Sequence, residues 1–463
     1  MVTFCKGRYC LAFALWLMPL LSLIAQQHTY SLQTLIDTAK QHWPTLLQKQ
    51  ANIDAVKASL TDVKHSFLPQ IRFNDQINIG SDNSIAGSYF PMGIIPSTSA
   101  GVRNDNNLNP ATNNIAVLYS EYELANFGLN DARLGNVQSQ INLNQADFAR
   151  EQYVLELSIA KLYFSIQKNA SRLNADRQNI ERYQRIFNVI QALTLSGIKA
   201  GSDSSLAKAE LSKTRISYNQ TLGNIRQQKQ QLAYLTGITA NNIRIDSLSN
   251  NASIDVKMLP NFVVDTLNNP LIDYYTKKKS IYLANNKLIS KSYLPKILLI
   301  GSTWARGSSI QYNDNYKSLA TGLGYQRFNY AVGIAFTYNL FNGLYKKDKL
   351  TINKYQIKAS DYELQQQKLA LNSSALQADN ALQTTDANLQ ELPIQLQSAQ
   401  ATYQQKLAQY KAGLISLIDL TNASFVVYRS QTDYIETISD RYLALLDKAA
   451  ATGSLTQFIQ TVK

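Results

Sequence analysis

Between Tyr330 and Leu340 large apolar side chains (Tyr330, Val332, Ile334, Phe336, Tyr338, Leu340) alternate with Ala331, Gly333, Ala335, Thr337 and Asn339. This period of two predicts a strand with one apolar face, of a length that suits a tilted bilayer-spanning strand of about 9–11 residues. Ile71, Phe73, Ile77 and Ile79 alternate with Arg72, Asn74, Gln76 and Asn78 in the same way, except that Asp75 falls on the apolar side. A half-buried sheet of a soluble protein would give the same alternation. Elsewhere the apolar period is seven: Ile159, Ile166, Leu173, Ile180 and Phe187; then Leu350, Ile357, Leu364 and Leu371; then Leu382, Leu389, Leu396, Tyr403 and Tyr410. No Gly or Pro lies between Gly135 and Gly197, and residues 344–412 contain only Pro393. Long helices are therefore predicted over about 130–198 and 344–412, the first roughly 100 Å long at 1.5 Å per residue. A strict heptad makes packed helices supercoil left-handed, either inside a four-helix bundle or in a larger assembly. Pro393 should bend its helix without ending it, because the heptad continues in phase across it.

The pattern is written twice. Pro44 and Pro69 in SFLPQI are matched by Pro270 and Pro295 in SYLPKI, both at an offset of 226. Tyr122–Asn126 followed by Gly128 is matched by Tyr338–Asn342 followed by Gly343, and Lys199-Ala200-Gly201 by Lys411-Ala412-Gly413. Each half reads helix, strand, strand, long helix, turn, helix, so the fold is a duplication. The expected organisation is a leader at 1–25, a first repeat at 26–235, a linker at 236–269, a second repeat at 270–450 and a tail at 451–463.

The leader carries Lys6 and Arg8, an apolar run from Leu11 to Ile24, and small residues Ser22 and Ala25, the layout of a secretory signal peptide. Both cysteines, Cys5 and Cys10, fall within it, so the exported chain has no disulfide or thiolate chemistry. His28, His42 and His65 form no metal-binding spacing, and no paired-carboxylate motif is clustered, so no metal, cofactor or enzymatic activity is expected. Loss of Lys6 and Arg8 lowers the net charge from +13 to +11, and the remaining bases are scattered among Gln, Asn and Glu. That scatter suits a solvated helix surface and not nucleic-acid binding. No later run approaches 18 apolar residues, so any membrane passage rests on strands. Four strands cannot close a barrel around a bore, and open edges in lipid leave backbone groups unsatisfied, so several chains must contribute to one barrel. Asn-, Ser- and Gly-rich stretches at about 81–113 and 311–327 are the expected outer loops.

In this duplicated plan, with SFLPQI and SYLPKI, YELANFG and YNLFNG, and the turns KAGSDSSLAKAEL and YKAGLISLIDLTNA, the chain resembles the TolC-like outer membrane efflux protein family over nearly its whole exported length. The resemblance implies an α+β membrane protein. Three chains would form a twelve-stranded outer-membrane β-barrel and a periplasmic α-barrel of long antiparallel coiled-coil helices, with the linker and tail in an equatorial belt. It implies a homotrimer in outer-membrane lipid that passively conducts substrates in a tripartite efflux or type I secretion system. Its partners would be a periplasmic membrane-fusion adaptor and an inner-membrane transporter of the RND, ABC or MFS class. By position, Gly413 would be the tip glycine, Asp419 an aperture acid, Asn422 the place of a second acid, and Tyr410 a closed-state latch residue. The adaptor would dock at Lys199, Ala200 and Gly201 and at Lys411, Ala412, Gly413 and Leu414. Ile415 departs from the family's latch arginine, and Ala207 stands where an acid can occur in the first tip. A structural coiled-coil protein of the periplasm or surface, without channel activity, is the alternative.

Overall fold

The computed structural model describes residues 29–85, 101–246 and 269–462; the leader and most of the 236–269 linker lie outside the described residues. The first repeat comprises α1 (Leu32–His42), α2 (Pro44–His65), β1 (Gln70–Gly80), β2 (Ala111–Ala125), α3 (Leu129–Leu195) and α4 (Gly201–Thr236). In the second come α5 (Pro270–Ser292), β3 (Lys296–Ser308), β4 (Ile310–Gln311), β5 (Asn315–Tyr316), β6 (Arg327–Thr337), α6 (Asn342–Lys411) and α7 (Leu417–Thr452). A short α8 (Leu455–Thr461) follows. Pro44 and Pro270 each open a helix, where a missing N–H removes no helical bond. Each repeat's second proline immediately precedes a strand. The two long helices run 67 and 70 residues, and α6 continues unbroken through Pro393.

Two compact units divide the chain, one built from Thr45–Glu151 and Leu267–Ala370. It holds an antiparallel sheet in the order β1-β2-β3-β6. Directly paired residues share a face, so the row Asp75, Ala116, Ala305 and Phe328 identifies the side carrying Ile71, Phe73, Ile77 and Ile79 of β1 and Tyr330, Val332, Ile334 and Phe336 of β6. These outer-strand side chains are all exposed. The opposite face carries Gln70, Arg72, Asn74, Gln76 and Asn78 of β1 and Arg327 and Asn329 of β6. Asp75 does lie on the apolar face, and Tyr325 supplies it with a hydroxyl donor at 2.8 Å. The 330–340 strand needs correcting: β6 starts at Arg327 and stops at Thr337. Asn339 ends it, because its side chain accepts from the Phe341 N–H at 2.9 Å and its carbonyl from the Asn342 N–H at 3.0 Å, a local turn that leads into α6.

The expected outer loop at 311–327 contains the β4–β5 ribbon, turned by left-handed backbone at Asn313 and Asp314. Below the sheet, α5 and α6 are joined by Lys278–Glu363 at 2.7 Å and Lys279–Asp361 at 2.6 Å. Asn353 is buried between them and donates to the Tyr282 carbonyl at 2.9 Å.

The second unit comprises residues 1–44, 152–266 and 371–463, as far as they are described. Ile159 and Ile166 of the α3 heptad are fully buried, whereas Ile180 and Phe187 are only partly so. Phe164 stacks on Tyr442 of α7 at 5.6 Å and lies 6.1 Å from Phe458 of α8. Helix α7 runs antiparallel to α3, through Lys161–Asp447 and Arg172–Glu436, and to α6, through Asp379–Lys448 and Asp386–Arg441. These charges flank the apolar seam as coiled-coil e and g positions do.

Candidate functional site

Helices α3 and α6 end in the same way. Gly197, at φ 77°, donates to the Thr194 carbonyl at 3.0 Å, and Ile198 donates to the Leu193 carbonyl at 2.9 Å. Gly413, at φ 76°, donates to Tyr410 and Leu414 to Gln409, both at 3.0 Å. This is a Schellman cap, which requires left-handed backbone and so favours glycine. Three residues after each glycine comes an N-cap, Ala200 or Ser416, and three further on an acid, Asp203 or Asp419.

The two tips therefore correspond at an offset of 216, Gly197 with Gly413 and Asp203 with Asp419. This corrects the pairing of Lys199-Ala200-Gly201 with Lys411-Ala412-Gly413: the first tripeptide enters α4, with Gly201 as its first helical residue, and the second leaves α6. The physical reason is that left-handed backbone at Gly197 closes α3, whereas Gly201 comes after the turn as the first residue of α4. Ala207 is fully buried and corresponds to the buried Ala423, so the acid of the first tip is Asp203.

Asp419 is exposed and closes a capping box: its Oδ2 accepts from the Ser416 hydroxyl at 2.6 Å and from the Ser416 N–H at 3.1 Å, while the Asp419 N–H donates to Ser416 Oγ at 3.3 Å. Those hydrogen bonds, the hydroxyl's first, hold its carboxyl below the ordinary Asp value. Ala200 has no such side chain, so α4 starts without this cap. Asn422 is exposed one turn after Asp419. Tyr410 is 1% exposed in a core with Tyr183, Ile190, Leu211, Tyr403 and Leu417, and its hydroxyl has no hydrogen-bond partner among the described residues. Lys199 lies over its ring at 5.5 Å, which joins the two tips. Ile415 packs, partly buried, against the same core. Lys411, Ala412 and Gly413 are exposed, as are the apolar Leu195, Ile198 and Leu414.

Above the tips, the buried Asp176 accepts from Thr221 of α4 at 2.7 Å and from Tyr428 of α7 at 2.6 Å, with Ser217 at 3.4 Å. One α3 carboxylate thus fixes the position of two neighbouring helices. Sequence reading passed over Asp176, which interrupts no heptad position, and Asp203, whose signal was its six-residue distance from Gly197, the distance from Gly413 to Asp419.

Among the described residues no helix is long and apolar enough to cross a membrane, and no group of His, Cys, Asp and Glu could hold a metal. The family described as "Outer membrane efflux protein" matches residues 35–238 and 284–454. No curated protein matches the sequence significantly. Among solved structures, the outer-membrane channel OprN is similar at a TM-score of 0.72 and 16% identity, over 91% of this chain and 90% of that one. The outer membrane protein VceC of Vibrio cholerae matches at 0.72 and 14%, over 91% and 96%. The CmeC outer membrane channel of Campylobacter jejuni matches at 0.71 and 15%, over 93% and 90%.

Proposed function

The chain belongs to the outer membrane efflux protein family, and from that premise we propose that three copies form an exit duct gated at the α6–α7 tip. As a member of the family it is an outer-membrane efflux channel with a periplasmic helical extension. The observation that carries the trimer is the sheet: among the described residues β1 and β6 are both unpaired at their outer edges while their apolar sides are exposed, which a bilayer does not tolerate in one chain. Exposed Tyr355, Tyr362 and Leu369 of α6, seven residues apart, add a second apolar seam beside the buried one.

Within that duct, Asp419 supplies a three-fold ring of carboxylates at the periplasmic aperture, with Asn422 one turn further along, and such rings attract cations. Asp203 of the first tip adds a second acid at the corresponding place. The exposed tip residues Gly413 and Leu414, with Lys411 and Ala412, and Lys199, Ala200 and Gly201 of the first tip, are the adaptor-facing surface. The transporter that drives export is of the RND, ABC or MFS class, and the chain itself performs no chemistry. The structural coiled-coil alternative leaves the apolar sheet face without a purpose. The test is crosslinking and planar-bilayer recording of the protein purified from outer membranes. Heat-resistant trimers with discrete conductance are expected, and a monomer without conductance would overturn the reading.

A further inference from the structure

The α3–α6–α7 seam is broken by a polar groove of about 520 Å³, set wholly within the second unit. Its buried part holds Arg182 and Tyr403, each 7% exposed. Arg182 forms no ion pair among the described residues. One of its terminal nitrogens donates to Asn179 Oδ1 and to Gln431 Oε1, both at 3.2 Å, and its Nε is buried with no partner among the described residues. A guanidinium has five N–H donors in a planar fork, so most of its bonding capacity is unused. Burial pushes its pKa down; the nearby Tyr403 and Tyr183 act against that shift, and the neighbouring Arg185 adds to it.

Arg185, one turn along α3, faces the same groove and also lacks an ion pair among the described residues. Gln400 and Gln404 of α6 line the other wall with amide donors. Among the described residues Glu181 is the sole acid of the lining, and it bonds to neither arginine. A buried cation without a counter-charge is costly, and two guanidinium groups beside amide donors are suited to an anion with several acceptor oxygens.

We propose that this groove binds a small oxyanion, inorganic phosphate or a carboxylate group, between Arg182 and Arg185. The site shares no residue with the exposed tips or with Asp419, although its Tyr403 and Val427 belong to the same buried core as Tyr410, and it gives the duct wall a place for an anionic solute. The test is calorimetric titration of the full-length purified assembly with sodium phosphate and, separately, sodium succinate at constant ionic strength. Saturable binding is expected, weakened about ten-fold or more by Arg182→Gln and by Arg185→Gln, the loss of a charge-assisted bidentate contact. Arg177→Gln removes the same charge from an exposed α3 position outside the groove and leaves binding unchanged. Because Arg185 is exposed, its variant keeps the test decisive if the buried Arg182 variant does not fold. Tighter phosphate than succinate binding assigns the site to phosphate, and the reverse assigns it to carboxylates. Absence of saturable binding for both anions, or binding that both groove variants leave intact, overturns the proposal.

Discussion

Asp419 has two tasks that separate by measurement. Its Oδ2 caps α7, while its exposed position on the tip gives it a charge to present to solvent. Asp419→Ala should raise single-channel conductance and weaken block by multivalent cations, whereas Asp419→Asn, which keeps an acceptor for Ser416, should weaken block with less fraying of α7. Unchanged block in both would remove Asp419 from the aperture. The pH dependence has a definite sign: the folded pKa is depressed below 3.8, so the cap is fully present above that value and is lost as pH falls through the folded pKa. Cation block should therefore persist through neutral and mildly acidic pH and disappear only below the ordinary carboxylate range. Asp176 acts in the interior instead. Removing its carboxylate strands the Thr221 hydroxyl and leaves the Tyr428 hydroxyl only Ser217 at 3.3 Å, so Asp176→Ala should lower stability by about 2 kcal/mol, visible as a reduced melting temperature of the solubilised protein.

At the scale of elements, the tips depend on left-handed glycines. A β-branched residue at such a position costs about 1–2 kcal/mol, whereas asparagine tolerates it. Gly413→Val should abolish export while Gly413→Asn retains it, if backbone geometry is what positions the adaptor surface. Loss in both would locate the requirement in the absent side chain. The long helices, the duplicated prolines and the strand alternation were legible because each is a local consequence of sequence: no breaker, a fixed φ, a period of two. The tip correspondence was misread because Lys-Ala-Gly recurs in both turns. Only the observed φ values and carbonyl partners distinguish the capping glycine Gly197 from Gly201, which begins the next helix.

For the whole molecule, the sheet's two faces make opposite demands. Val332 lies mid-strand on the apolar face of β6 and Ala331 on the polar one. Val332→Arg should cost about 2–4 kcal/mol per chain at the bilayer midplane and convert heat-resistant oligomer to monomer on gels, while Ala331→Arg should be tolerated in the bore. Reversed effects would mean that the faces have been exchanged, and equal effects that the sheet does not separate lipid from a bore. Asp75 is the exception on the apolar face, and Tyr325 reaches it from a loop that is remote in sequence.

The sequence by itself determined the element order, the duplication and the two faces of the strands, because hydrophobic period, prolines and glycines act within a few residues of themselves. Tertiary structure alone decided which acids and arginines are paired. Asp176 meets partners 41 to 252 residues away, and Arg182 is left with an unpartnered nitrogen in a groove formed by three helices. Such pairing depends on the register and rotation of long helices against one another, and a heptad repeat specifies which stripe is buried without specifying which polar group it will face.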